Sequence, residues 1–564
     1  MMNLKKIFPT FFLTASYLWR HCVKEIITDK RLFYPFLLAA YPVLFQYSKN
    51  WEYLSFYDVL PPLIWSLALA YILLAVINTV LRDNLKSAVI VSLLLTIFFS
   101  YGQIYQSIRI NSAPGRGISH NMLLTLLFGI FFICVFLIFI FPNVLQYITR
   151  LLQIFSVLLL IFIFYELSLA VMSDIKEFAV SIKNESADGN RAKEVGEYPD
   201  IYYIILDSYS GEKALKDYYD FDNSGFTTWL KKEGFVIPEN AHSNYCQTTL
   251  SLPSSLNMDY IDSLMDISGL KNSTDRSPLK RLMAVNALSK FLKDRGYTIV
   301  KFVFGYAITD AFRADITDQP AGVFFLHEFT NHVANTTMLI CFQSFIESEG
   351  KIGINIRRIM SMLEGLPIAS TKFRSPKFVF AHILCPHPPF VFDKNGPTDK
   401  YTGIDLTPDY NDPERDAKIR KYKKGYLGQI EFLNNNVNVD IDRIIRNSKK
   451  PPIIILQADH GSGTNFYDNV NKTNLNDRFS ILNAYYLPYG GDRIIYNGIT
   501  PVNSFREILN YYFGADFKRL PDRSYFSPYS GPYNLYEITG MLKGGVWKNP
   551  VSIEKAARMP ADDD

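Results

Sequence analysis

Ile453-Ile454-Ile455-Leu456-Gln457-Ala458-Asp459-His460-Gly461-Ser462-Gly463 is an aliphatic run that stops on a carboxylate, an imidazole and a glycine. Four consecutive large aliphatic residues predict a strand buried on both faces, as in a parallel sheet covered by helices. Open sheets of that kind bind ligands in the crevice beyond their C-terminal strand ends. Asp459 and His460 are therefore placed as a metal-binding pair. In isolation, a turn-forming Asp beside a chance His would read the same way, but three other stretches favour the metal pair.

The first is Ile201-Tyr202-Tyr203-Ile204-Ile205-Leu206, another buried-strand run, which ends on Asp207. Asp207 is either the cap of the next helix or a second carboxylate at a strand end. The second is the hydroxyl-rich segment from Ser243 to Leu256, which contains Thr248, Thr249 and Ser251 and leads into a short helix. Hydroxyls at a helix start are usually caps, but a Thr there can also be a nucleophile. The free N–H groups and the helix dipole stabilise the anion that develops beside it. The third stretch, residues 377–390, is a strand that ends on His382 and His387. Helical patterns at 212–220, 224–233, 278–293, 329–349, 352–364, 414–446 and 501–513, with further strands at 298–303 and 481–487, alternate with these runs. That alternation predicts an α/β domain with a largely parallel central sheet over 199–550.

The N-terminal third has a different character. Apolar runs at about 60–81, 87–106, 122–141 and 152–172 are each long enough to cross a bilayer, and a weaker one at about 32–48 carries Pro35 and Pro42. Residues 1–172 thus form an α-helical membrane anchor of about five spans. The segment 7–19, flanked by Lys5, Lys6 and Arg20, is expected to lie in the interface rather than be cleaved. With the N-terminus inside, the inner segments hold Lys5, Lys6, Arg20, Lys24, Lys30, Arg31, Arg82, Lys86 and Arg150. The outer loops hold Lys49, Arg109 and Arg116. This bias makes the chain a multi-pass plasma (inner) membrane protein, with everything after residue 173 outside the cytoplasm. Residues 173–198 are a polar connector, and 551–564 a charged, loose tail ending in three aspartates. A net charge of +4 over 564 residues gives no footprint for nucleic acid. Five cysteines without paired spacing propose neither a disulfide framework nor a cysteine zinc site.

Taken together, these motifs resemble the membrane-anchored branch of the alkaline phosphatase and sulfatase superfamily. That branch includes lipoteichoic acid synthase-type phosphoglycerol transferases and lipid A phosphoethanolamine transferases. The resemblance implies a sulfatase-like catalytic domain behind a helical anchor. It makes Asp207, Asp459 and His460, with Thr248, the ligands of one divalent ion, zinc or manganese. Thr248 of Thr248-Thr249-Leu250-Ser251-Leu252-Pro253 becomes the nucleophile, and the His382-x-x-x-x-His387-x-Pro spacing holds the substrate phosphate, with Ser251 helping to orient it. The implied reaction moves a phosphoglycerol or phosphoethanolamine headgroup from a membrane phospholipid to a cell-envelope glycan or lipid through phosphothreonine. A hydrolase of the same fold is the runner-up, and a non-catalytic membrane receptor or scaffold the reading from another class. The sequence departs from the branch in carrying Asp at 207 where Glu is usual, and Ser462 after Asp-His-Gly where Glu is frequent. Cys246-Gln-Thr-Thr lacks the Pro and Arg of a sulfatase motif. Oligomeric state is not legible.

Overall fold

The computed structural model describes residues 32–50, 56–110, 119–185, 198–302, 306–318, 328–401 and 412–542. The expected interfacial helix at 7–19, the positive charges of residues 5–31, connector residues 186–197 and the tail 551–564 lie outside these. The chain divides into two units, Met1–Gly189 with Phe325–Glu347, and Asn190–Phe324 with Ser348–Asp564.

The first unit is helical: Tyr34–Asn50, Phe56–Leu81, Asn84–Ile110, His120–Ile140 and Leu145–Glu185. Among the described residues, four stretches, Val59–Leu81, Asn84–Ile108, His120–Ile140 and Pro142–Ser168, are long and apolar enough to cross a membrane. Phe132, Phe136, Leu151 and Phe164 are exposed on them, as lipid-facing residues would be. The weaker run is the 17-residue helix Tyr34–Asn50 with Pro42 inside it, at the lower end of the roughly 17–25 residues a span takes. The last helix continues through residues 173–185, the first half of the expected connector. Residues 325–347 also join this unit, although they lie between strands of the other in sequence. The helix Glu328–Thr336 packs Phe329 and Val333 against Val43 and Val59.

Among the described residues, the second unit holds eleven strands. In chain order they are β1 Ile201–Leu206, β2 Phe235–Val236, β3 Thr298–Phe302, β4 Ile316–Asp318, β5 Lys377–Ile383 and β6 Phe392–Asp393. They continue with β7 Gly396–Pro397, β8 Ile453–Gln457, β9 Asn483–Tyr486, β10 Tyr525–Phe526 and β11 Tyr536–Glu537. Seven form one sheet in the order β2-β9-β8-β1-β5-β3-β4. β8, β1, β5, β3 and β4 are mutually parallel, and at one edge β9 alone runs the other way, pairing antiparallel with both β8 and β2. All six residues of β1 are buried, as the aliphatic run requires of a central strand.

Side chains alternate across a strand, so each face of the sheet has its own core. Tyr202, Ile204 and Leu206 meet Met362 and Leu366 of the helix Gln343–Lys372 and Ile430 and Leu433 of Arg415–Asn447. Ile201, Tyr203 and Ile205 meet Leu250 and Leu256 of the helix Thr248–Asn257, Leu279 and Met283 of Ser277–Ala284, and Phe505 of Pro501–Phe513. Each large side chain so buried contributes about 1.5–3 kcal/mol. The helical pattern at 278–293 resolves into two helices, Ser277–Ala284 and Ala287–Lys293, separated where the Asn286 side chain caps the second by accepting from Ser289 N–H.

Candidate active site

The same alternation places the functional side chains. On β5, Phe378 and Phe380 face the core that contains the helix Thr248–Asn257, and His382 falls on that face. On β8, Ile453 and Ile455 face it too, which carries Gln457 and then Asp459 to the same side. In register, Ile205, His382 and Gln457 lie abreast on β1, β5 and β8. Asp207 and Asp459 each stand two residues further on, at the C-terminal edge of the three central strands.

Asp207, His382 and Asp459 each offer a ligand atom within 4.8 Å of the others, and all three are buried. His382 Nε2 is 3.2 Å from Asp207 Oδ2, and His460 Nε2 is 3.3 Å from Asp459 Oδ2 and 3.9 Å from Asp207 Oδ1. His382 Nε2 and Asp459 Oδ2 nevertheless have no hydrogen-bond partner. Atoms this close without hydrogen-bond angles are aimed at a common point rather than at one another. Donor atoms about 2.0–2.1 Å from a tetrahedral zinc ion lie about 3.3 Å apart, so the spacing fits a small divalent cation. Oxygen and imidazole donors suit manganese as well. The residues present therefore fit the ion that the motifs imply.

The surrounding contacts hold these donors in place. Ser208 has φ 68°, a left-handed conformation that costs a non-glycine residue about 1–2 kcal/mol. It turns its N–H to Asp459 Oδ1 at 3.1 Å, while its hydroxyl donates to Asp207 Oδ1 at 2.9 Å. His460 N–H also donates to Asp459 Oδ1, at 3.0 Å. His460 Nδ1 lies 3.0 Å from the Gly461 carbonyl, a bond that needs the proton on Nδ1 and leaves the Nε2 lone pair facing inward. Gly461 is required by close approach, since a Cβ there would sit 2.0 Å from the Asp477 carbonyl oxygen.

Thr248 is the first residue of its helix and is buried, and its Oγ1 lies 3.1 Å from His460 Nε2. Thr249 is buried as well, but its hydroxyl has no partner. Ser251 donates to the Tyr245 carbonyl at 3.0 Å, so its proton is used in closing its own segment. His382 stands among the carboxylates, with Nδ1 3.3 Å from Thr309 Oγ1, and can join the ion as well as face a phosphate. His387 sits behind Asp207, its backbone N–H donating to the Asp207 carbonyl at 3.1 Å. Burial works against ionisation of Asp207, but the imidazoles of His387 and then His382 outweigh it and hold the carboxyl well below its usual range. Burial, and then the Arg478 guanidinium, press His460 down to about 4, so its imidazole is neutral at pH 7 as a metal ligand must be.

Arg478, which no motif pointed to, joins the two halves of the site. It donates through Nη1 to the Gly461 carbonyl at 3.0 Å, and through Nε and Nη2 to the Cys246 carbonyl at 2.9 and 2.5 Å. Its neighbour Asp477 is buried, with a pKa pushed up to about 7, and accepts from the Tyr219 hydroxyl at 2.8 Å. These residues lie 18 and 19 positions after Asp459 in a polar run with no periodicity, so the sequence carried no signal for them.

No family model matches this chain, and no curated protein matches it in sequence. Solved structures similar to it include the C-terminal periplasmic domain of EcEptC from Escherichia coli in complex with zinc, at 12% identity. The match covers 62% of this chain and 94% of that one, with a TM-score of 0.37. The soluble domain of lipooligosaccharide phosphoethanolamine transferase A from Neisseria meningitidis is similar at 12% identity, covering 56% and 89%, with a TM-score of 0.34. A phosphonate monoester hydrolase of Agrobacterium radiobacter is similar at 12% identity, covering 58% and 80%, also with a TM-score of 0.34.

Proposed function

We propose that this protein is a metal-dependent transferase that takes a phospho-headgroup from a membrane phospholipid onto Thr248 and passes it to a cell-envelope acceptor. The observation that carries the reading is the buried cluster of Asp207, His382 and Asp459, two of whose donor atoms make no hydrogen bond, with His460 Nε2 3.3 Å from Asp459 Oδ2 and 3.1 Å from the Thr248 hydroxyl. Asp207, Asp459, His460 and Thr248 would hold the ion, with His382 close enough to join them. When bound, it would draw charge from the phosphate oxygens and from the threonine oxygen.

In the first step Thr248, its hydroxyl proton given up to solvent beforehand so that it acts as the alkoxide, bonds through Oγ1 to phosphorus as the bond from phosphorus to the diacylglycerol oxygen breaks. The leaving alcohol takes a proton from an imidazole, His382 or His387. The helix that begins at Thr248 turns its N-terminal dipole toward the negative charge gathering there. In the second step an acceptor hydroxyl attacks the phosphothreonine, returns a proton to the imidazole and frees the threonine. Four helices able to cross a membrane tether this chemistry where lipid donors are concentrated. With the catalytic unit on the extracytoplasmic side of the plasma (inner) membrane, a glycan or lipid of the envelope is the acceptor within reach.

Intact-mass measurement of the purified, metal-loaded protein after exposure to mixed phospholipids tests this. The headgroup mass should appear on Thr248 and be absent from Thr248→Ala, whose turnover should fall at least about a thousandfold. A threonine that never gains mass, with turnover intact in Thr248→Ala, would remove the covalent route.

A further inference from the structure

Residues 325–347 stand between β4 and β5 in sequence, yet they fold with the membrane unit. From Phe329 to Ile346 they carry no Asp, Glu, Lys or Arg. The run is broken into a nine-residue helix, Glu328–Thr336, and a tight helical turn, Met338–Phe342. Apolar pieces this short do not cross a bilayer and are the form of a re-entrant or interfacial element. The break between them is closed within itself. Thr337 is fully buried, and its Oγ1 donates to the Ala334 carbonyl at 2.7 Å and accepts from Leu339 N–H at 3.1 Å. Irregular backbone is tolerated at membrane depth only where protein covers it and its polar groups are answered.

The seat is built by four helices. Phe329 and Val333 pack on Val43 and Val59, and Ile340 meets Tyr101 and Leu123. Polar contacts add to the fit: His332 Nε2 lies 3.0 Å from Gln46 Oε1, and Cys341 Sγ 3.6 Å from His120 Nδ1. Gly102 is required by close approach, since a Cβ there would overlap the Asn335 carbonyl oxygen. Gly102 stands six residues, about 9 Å along the helix, inside the Ile108 end of its span. The segment is therefore sunk into the bundle rather than laid across it.

All these contacts lie at one end of the bundle. They involve the C-terminal parts of the helices Tyr34–Asn50 and Asn84–Ile110 and the N-terminal parts of Phe56–Leu81 and His120–Ile140. Lys49 at this end pairs with Glu166 at 2.8 Å, beside the point where the last span finishes at Ser168. The chain thus leaves the bundle after Ser168, and returns to it at Glu328, on the same side. No described stretch between Ser168 and Glu328 is long and apolar enough to cross back, so a single side is what the connectivity demands.

We propose that Glu328–Phe342 is a re-entrant latch, which fastens the catalytic unit to its anchor at a second point besides the connector. A lone connector lets a tethered unit sweep a wide volume, whereas two fastenings narrow it and raise the effective concentration of membrane-held donors. That gain in lipid turnover rests on the transfer reading above; the fastening itself does not.

A protease site placed between residues 189 and 190 of the full-length protein tests the latch in mild detergent. After cleavage, the 190–564 fragment should stay with the 1–189 fragment when the latter is captured on a resin. Val333→Asp carries a charge into the apolar seat and should raise the share of released fragment at least about fivefold. Gly102→Leu, which alters the seat and leaves the catalytic chain untouched, should do the same. Release from the native anchor would overturn the latch, and so would retention in both variants. Should Val333→Asp not fold, Gly102→Leu decides alone. In the uncleaved variants phospholipid turnover should fall, while bis(p-nitrophenyl) phosphate, a soluble diester, is cleaved at the native rate. Undiminished phospholipid turnover in variants that release the fragment would overturn the role given to the latch. Retention of the native fragment with neither ester turned over would sink the transfer reading and leave the latch standing.

Discussion

Strands β1 and β5 have a buried acid and base at each end, and the two ends are finished differently. At the start of the strands, Lys377 Nζ sits 2.6 Å from Asp200 Oδ2 and also donates to the Ser370 carbonyl at 3.0 Å and the Phe373 carbonyl at 3.3 Å. Asp200 accepts in turn from Lys377 N–H and Ser375 Oγ, both at 3.0 Å. The Lys377 ammonium and the Asp200 carboxylate are thus both answered. At the far end His382 and Asp207 are as deeply buried, yet His382 Nε2 and the neighbouring Asp459 Oδ2 have no hydrogen-bond partner. A buried ion pair that serves the fold must be closed, because an unanswered charge costs several kcal/mol. A site that receives a cation must be left open toward it.

The sharpest way to break this contrast is to remove one carboxylate from each end. Asp459→Asn should strip the metal, measured by elemental analysis, and cut turnover at least about a thousandfold, while metal-free melting shifts little. Asp200→Ala should do the reverse. It leaves Lys377 buried and unpaired, so stability should fall by about 3–5 kcal/mol in denaturant titration, with metal content and turnover per folded molecule unchanged. Metal loss from Asp200→Ala, or a collapse of stability with full metal in Asp459→Asn, would erase the distinction.

The open end should also be the acid-sensitive one. His460 is pressed from the usual 6.5 down to about 4 in the folded protein, so between those values the unfolded chain binds the proton and the folded one does not. The stability tied to its neutral form is therefore complete above about 6.5 and is lost as pH falls toward 4, by about 3 kcal/mol in the metal-free protein. Asp207, also held low, adds its own loss only below its usual 3.8. Melting curves from pH 7.5 to 4.5 should flatten in His460→Gln. An equally steep fall in that variant would place the sensitivity elsewhere.

The sequence made the open end easier to read than the closed one, for a physical reason. Asp207, His382, Asp459 and His460 each follow an aliphatic run, and a polar residue that ends a buried strand can be recognised from the run alone. Both the α/β character and the parallel sheet were legible in that periodicity. Arg478 was not legible, because it acts through backbone carbonyls 17 and 232 residues away in sequence along a polar segment without a pattern. The pattern at 329–349 predicted a helix, but periodicity does not say which core a helix joins. Phe329 and Val333 fit the membrane unit as well as they would have fitted the other. The run at 32–48 was marginal for a span in the sequence, and its 17-residue helix is marginal in the same way.

Thr249 gives the smallest effect and the finest test of what an unpartnered atom means. Its hydroxyl is buried without a partner, as Asp459 Oδ2 is, yet it follows Thr248 directly in the helix, and neighbours there point about 100° apart. Thr248 faces His460, so Thr249 is turned aside, and its orphaned hydroxyl is a packing defect rather than part of the open end. Valine has nearly the same shape and no hydroxyl to desolvate. Thr249→Val should hold turnover per folded molecule within about twofold and leave stability unchanged or raise it by up to about 1 kcal/mol. Thr248→Val, measured in the same assay, should be inactive. If Thr249→Val loses turnover while Thr248 still gains the headgroup mass, the Thr249 hydroxyl belongs with Asp459 among the atoms left open for the ligand. If Thr249→Val is dead and Thr248→Val active, the nucleophile is Thr249.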